Sequence, residues 1–385
     1  MRLLSVTAVL VATALAVVSC AEPPPWASPT QGHQAGGYAQ PPAPPSTPLS
    51  VPPPGTDVYA HDRPGMLSPA VAHLTPRVYV PNSESGTVDV IDPTTFRVVR
   101  SFKVGRLPQH VVPSWDLKTL WVNENEGDRL TPIDPVTGRP GRPVPVDDPY
   151  NLYFTPDGSY AVVMAERAGR LDFRDPHTMA LIRPLPLPCK GVNHGDFTAD
   201  GSVFLVSCEF SGQLVAVDWK AARVLKVIDV GRGNMPQDVK LSPDGRLFYV
   251  ADMTAGGLWM IDAATFARAG FLPTGKGAHG LYVSRDSREL YVSNRGEGSV
   301  SVVSFADRRV ADRWRVPGGG SPDMGGVSAD GRQLWLSGRY HGVVYVFSTE
   351  TGRLLHTIKV GRGPHGLCVY PQPGRHSLGH TGVFR

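Results

Sequence analysis

A chain of 385 residues with 38 Lys and Arg against 34 Asp and Glu is too evenly charged to present a polyanion-binding surface. Its 42 glycines and 38 prolines favour many short strands joined by tight turns over a helical architecture. No run of basic residues concentrates the small positive excess, so nucleic acid is not an expected partner.

In chain order, the first element is residues 1–19. Arg2 precedes an uncharged stretch, Leu3 to Val18, of signal-peptide length and marginal for a spanning helix. The stretch ends in Val17-Val18-Ser19-Cys20, which resembles the lipobox of bacterial lipoprotein precursors. The resemblance implies cleavage before Cys20, lipidation of that residue, and a location in the cell envelope as a membrane-anchored lipoprotein. Two acyl chains are what stable attachment requires. The plainer reading is an ordinary cleaved signal followed by a chance cysteine. Residues 20–55 follow, with 12 prolines between Ala21 and Gly55, and read as an extended tether. Residues 56–76 are a lead-in segment, and 372–385 a tail that either covers the underside of the domain or frays.

Residues 77–371 are repetitive. An aromatic or aliphatic strand marker recurs at Tyr79, Trp121, Val162, Leu205, Tyr249, Tyr291 and Trp335. In phase with it, Gly86, Asp128, Gly169, Gly212, Gly256, Gly298 and Gly342 each open an alternating segment such as Gly-Gln-Leu-Val-Ala-Val-Asp. A third marker is the turn Thr155-Pro156-Asp157-Gly158, repeated as Thr198–Gly201, Ser242–Gly245 and Ser328–Gly331. Each unit thus holds four antiparallel strands. Seven units predict an all-β, seven-bladed β-propeller. The final strand, Gly366–Tyr370, has pre-turn character and the first, Arg77–Val80, post-turn character, so the two ends are expected to close one blade together. A closed ring has no edge to cap, and a monomer is the expectation.

The units resemble the YVTN-type propeller repeat, carried by Val78-Tyr79-Val80-Pro81-Asn82, Leu290-Tyr291-Val292-Ser293-Asn294 and the Ser-Pro-Asp-Gly turns. The resemblance implies the fold and no single activity.

Immediately before each innermost strand lies an equivalent position, occupied in turn by His110, Asn151, His194, Asp238, His279, Met324 and His365. All seven side chains are of metal-ligating type and are expected around one mouth of the channel. The returning strand brings Glu84, Glu124, Glu166, Glu209 and Asp252 to the same rim, with Arg167, Arg295 and Arg339 nearby. The histidines also have a purely structural reading, as consensus turn residues that order the rim. Nitrous oxide reductase resembles this arrangement in holding copper with propeller histidines, but Asn151, Asp238 and Met324 stand here at three of the positions. Signatures of serine hydrolases, zinc proteases and covalent haem attachment are absent. The expectation is therefore a non-catalytic module binding a small molecule or a protein at the channel mouth. Two rivals stay open: a copper- or haem-holding oxidoreductase-like protein, and a metal-dependent lactonase-like hydrolase. Cys189 and Cys208 flank the Thr198–Gly201 turn almost symmetrically, which suggests a disulfide, with buried thiols or paired metal ligands as alternatives.

Overall fold

The computed structural model describes residues 53, 55–380 and 382–385. The leader, Cys20 and nearly all of the tether lie outside the described residues. Among the described residues no helix is long and apolar enough to cross a membrane.

Seven antiparallel sheets form the blades of a propeller. Blade 1 closes the ring: Cys368–Tyr370 is its innermost strand and pairs with Arg77–Asn82, with Val369 opposite Val78. Blades 2 to 7 begin at Pro108–Pro113, Pro149–Phe154, Val192–Phe197, Pro236–Leu241, Ala278–Val283 and Pro322–Val327. Each then runs outward through three further strands or strand segments. In blade 2 the outermost strand is broken into Arg139–Pro140 and Val144–Pro145, both against Arg129–Asp134. Three prolines in that stretch remove ladder donors, which restricts it to a sheet edge.

Burial falls from axis to rim. Inner strands such as Pro108–Pro113 are buried along their whole length, whereas the outermost strand of blade 1, Arg97–Lys103, is largely exposed. The apolar core lies between blades, as in the cluster of Val162, Phe173, Phe197, Phe204 and Val217 joining blades 3 and 4. The hairpin glycines adopt positive φ, 63° at Gly86 and 60° at Gly342, and Asp128 fills the same left-handed corner at 48°. Cys189 and Cys208 are joined by a disulfide across the mouth end of blade 4. The strand register sets Val192, three residues after Cys189, opposite Cys208.

The underside of the channel is covered. From the lead-in, the Tyr59 hydroxyl donates to the Leu241 carbonyl at 2.7 Å and Leu67 bridges to Pro373 and Gly374. The tail turns back as Ser377–Gly379 and Val383–Phe384, which extend blade 3 from its axial side through Gly379 opposite Tyr153. A Cβ on Gly379 would stand 2.6 Å from the Leu152 carbonyl, and its φ is +127°, so glycine alone fits that approach.

Candidate functional site

Every inner strand after blade 1 carries a register break at its start. Val192 opposes Cys208 and Gly195 opposes Val206, leaving Asn193 and His194 against a single residue of the neighbouring strand. The same extra residue occurs in blades 5, 6 and 7 around Asp238, His279 and Met324, and in blades 2 and 3 at Gln109 and Tyr150. Such bulges re-aim side chains, here toward the channel. The glycine after several of these positions makes room: a Cβ on Gly366 would lie within 2 Å of His110 Nδ1.

The seven predicted positions do not act alike. Asn151 accepts the Leu152 amide and donates to the Asn193 carbonyl, tying blade 3 to blade 4. Asp238 accepts the Val239 and Leu281 amides, both at 2.9 Å, tying blade 5 to blade 6. Both are therefore inter-blade pegs and not free ligands, a correction to the expectation of a seven-membered donor ring. Met324 presents its sulfur 2.9 Å from His279 Nδ1. That nitrogen also lies 3.0 Å from Asp323 Oδ1, and His365 Nδ1 lies 2.8 Å from Asp323 Oδ2. A ring N–H has one acceptor of choice, and the carboxylate is the stronger one. Asp323, which the sequence reading passed over, thus holds both rings. Burial alone would raise its pKa; Arg295 and the two imidazoles overcome this and keep it well below the usual carboxylate range.

His110 and His194 converge with a third histidine that no repeat position predicts, His380 of the tail. Ring centroids are 4.3 Å apart for His110 and His380, 4.8 Å for His194 and His380, and 5.6 Å for His110 and His194. All three are fully buried, and none of their six ring nitrogens has a hydrogen-bond partner among the described residues. His279 and His365 stand alongside, with His365 4.9 Å from His110. Burial is the main cause that lowers the pKa of all five, His365 to about 4, and it favours the neutral form of each ring.

Above this layer, the residue directly after each second strand forms a collar: Ser83, Asn125, Glu166, Glu209, Met253, Arg295 and Arg339. Hydrogen bonds lace it around the ring. Arg339 donates to Ser83 Oγ at 3.1 Å, Ser83 to the Pro108 carbonyl, and Asn193 to both Glu209 and Gln237. The collar is bipolar, with acids on blades 3 and 4 and arginines on blades 6 and 7. Burial first, and Glu209 beside it, push the Glu166 carboxyl well above its ordinary value. The Glu166 carboxylate has no hydrogen-bond or ion-pair partner, and Arg339 no carboxylate partner, among the described residues. The buried Tyr150 phenol senses both of them, together with Glu209 and Asp323.

Three of the predicted rim carboxylates stand elsewhere. Glu84 is exposed outside the collar. Glu124 is fully buried and bonded to Arg129 and Thr131, and Asp252 accepts the Met235, Thr254 and Ala255 amides and the Trp259 indole N–H. Both end their strands one residue before the collar position, and side chains alternate along a strand, so they face sideways into the blade connection.

A model of the YNCE-like beta-propeller family matches residues 66–374. No curated protein matches in sequence. Solved structures that are similar include Kuenenia stuttgartiensis hydrazine synthase, with 16% identity, 70% of this chain and 92% of that one covered, and a TM-score of 0.60. A functionally unknown protein from Desulfotomaculum acetoxidans has 15% identity, 76% and 98% coverage, and a TM-score of 0.63. Dihydro-heme d1 dehydrogenase NirN has 14% identity, 86% and 83% coverage, and a TM-score of 0.58. At such identities the likeness is one of fold alone.

Proposed function

The chain belongs to the YNCE-like β-propeller family, and from that premise we propose that it is a non-catalytic binding protein of the cell envelope, anchored through Cys20, that takes a small dipolar molecule into the mouth of its channel. The observation that carries this is the bipolar collar: the Glu166 carboxylate and the Arg339 guanidinium at one mouth, neither with an ion-pair partner among the described residues. Burial and Glu209 disfavour the ionised form of Glu166, and Arg339 carries its charge without a carboxylate partner among the described residues, so a ligand bearing an ammonium and a carboxylate would stabilise the Glu166 carboxylate and pair with Arg339 at once. Glu209 reinforces the acidic side and Arg295, 3.3 Å from Asp323, the basic side. The lipobox-like Val17-Val18-Ser19-Cys20 supports the anchor. The hydrolase rival draws less support, because the carboxylate it would need at Asp238 already accepts two backbone amides.

The test is calorimetric titration with ω-amino acids of increasing length and with their N-acetyl and amide derivatives. At least one zwitterion should bind, its singly charged derivatives at least tenfold more weakly, and the double variant E166Q/E209Q should abolish the difference. Equal binding of all three forms would sink the dipolar reading. Absence of binding by every compound would redirect the site to a protein partner.

A further inference from the structure

We propose that His110, His194 and His380 form a binding site for one d-block metal ion, completed only when the C-terminal segment is docked. The inference is independent of the mouth ligand, because these three residues lie in a separate layer and belong to blade 2, blade 4 and the tail.

The first ground is polar accounting. A buried donor or acceptor left without a partner costs about 1–3 kcal/mol, and native interiors contain few of them. Here six ring nitrogens of three adjoining side chains are buried without partners among the described residues. No other place among the described residues concentrates the deficit in this way. An ion bound by one nitrogen from each ring removes half of it in a single step.

The second ground is geometry. One ligand atom can be chosen from each ring so that all three lie within 4.8 Å of one another. The edge of a tetrahedral site with metal–nitrogen distances near 2.0–2.1 Å is roughly 3.3 Å, so modest tilting of the rings closes the site. Three imidazoles with no carboxylate among them suit Zn2+, Cu2+, Ni2+ or Co2+, and not Ca2+ or Mg2+, which require oxygen ligands. A three-histidine set also leaves a fourth position for water or an exogenous ligand.

The third ground is how the tail is held. Gly379 sits against the inner strand of blade 3 where no side chain fits, and Arg385 pairs with the buried Asp196 at 2.9 Å while lying over the Tyr59 ring. These contacts hold the tail at points before and after His380. Two ligands therefore come from the rigid ring and one from a segment that enters from beneath, so metal affinity and tail docking are thermodynamically coupled.

Full-length protein stripped with a chelator and titrated with Co2+ should bind one equivalent, with the visible absorption of a low-coordinate nitrogen site, and Zn2+ should displace it. H380A should lower the affinity at least tenfold while the blades remain folded, as read by circular dichroism. H376A is the control: His376 lies on the same tail but stacks on Trp115, 5.2 Å between centroids, and its variant should bind as the parent does. No stoichiometric binding, or unchanged binding by H380A, overturns the site. Equal losses in H376A and H380A also overturn it, since they would assign the effect to tail packing instead of ligation.

Discussion

The two ends of the channel are built on opposite plans. At the mouth, Glu166 and Arg339 stand part-buried without ion-pair partners among the described residues, and the collar around them is joined by hydrogen bonds that leave its centre polar. At the underside, the lead-in and tail close the channel with apolar side chains and with hydrogen-bonded cations: Arg385 meets Asp196, and Arg285 donates to the Val327 carbonyl and Gln372. The same seven-fold backbone serves both. What differs is whether sequence from outside the repeats is laid across the end, and that decides which end is closed and which keeps an open, polar centre.

Deleting residues 375–385 tests this division most severely. Leu378, Val383 and Phe384 are buried, and at about 1.5–3 kcal/mol each their loss should destabilise the protein by on the order of 5 kcal/mol. Urea unfolding would measure it; a loss below 1 kcal/mol would show that the tail covers the channel without supporting it. A narrower cut is Arg385→Ala. It leaves Asp196 buried without its cation and should cost about 3 kcal/mol, read by the same measurement, with ligand binding at the mouth unchanged.

Asp62 offers a change of the opposite sign. It is buried at the underside with Oδ1 unpartnered, and burial pushes its pKa up to about 7 from 3.8, against the pull of Arg285 and Arg385. The folded state therefore holds this proton more tightly than the unfolded state does. Its stability penalty begins as pH rises past about 4 and is complete above about 7. Asp62→Asn should accordingly raise the melting temperature at pH 8 and leave it unchanged at pH 4. An equal shift at both pH values would remove ionisation as the cause. The smallest effect is expected at the mouth: Glu166→Gln should change stability by less than about 1 kcal/mol, or raise it slightly, because the carboxylate lost has no partner there. A large loss of stability would show that the collar is structural and erase the contrast between the ends.

Much of this was legible beforehand. Repetition displays strands and turns several times over, so the closure of one blade by Arg77–Val80 and Gly366–Tyr370 followed from strand character, and the observed strands are Arg77–Asn82 and Cys368–Tyr370. Counting repeats places His110 and His194 at equivalent positions of their blades, and Glu166 and Glu209 likewise. The error on Glu124 and Asp252 was one of a single residue, and in a strand one residue reverses the face. Asn151 and Asp238 were placed correctly along the chain, but whether an amide or carboxylate faces a ligand or the next blade's backbone is set by neighbours some 40 residues away.

The sequence by itself therefore determined the local chemistry and the ring: alternation, turn residues and repeat spacing act over a few residues and need no knowledge of the whole. Only the tertiary structure decided that His380 joins His110 and His194, and that Asp323 governs His279 and His365. A tail that occurs once has no periodicity to announce its partner, and burial, which removes hydrogen-bond partners and suppresses charge, exists only after the chain has closed around it.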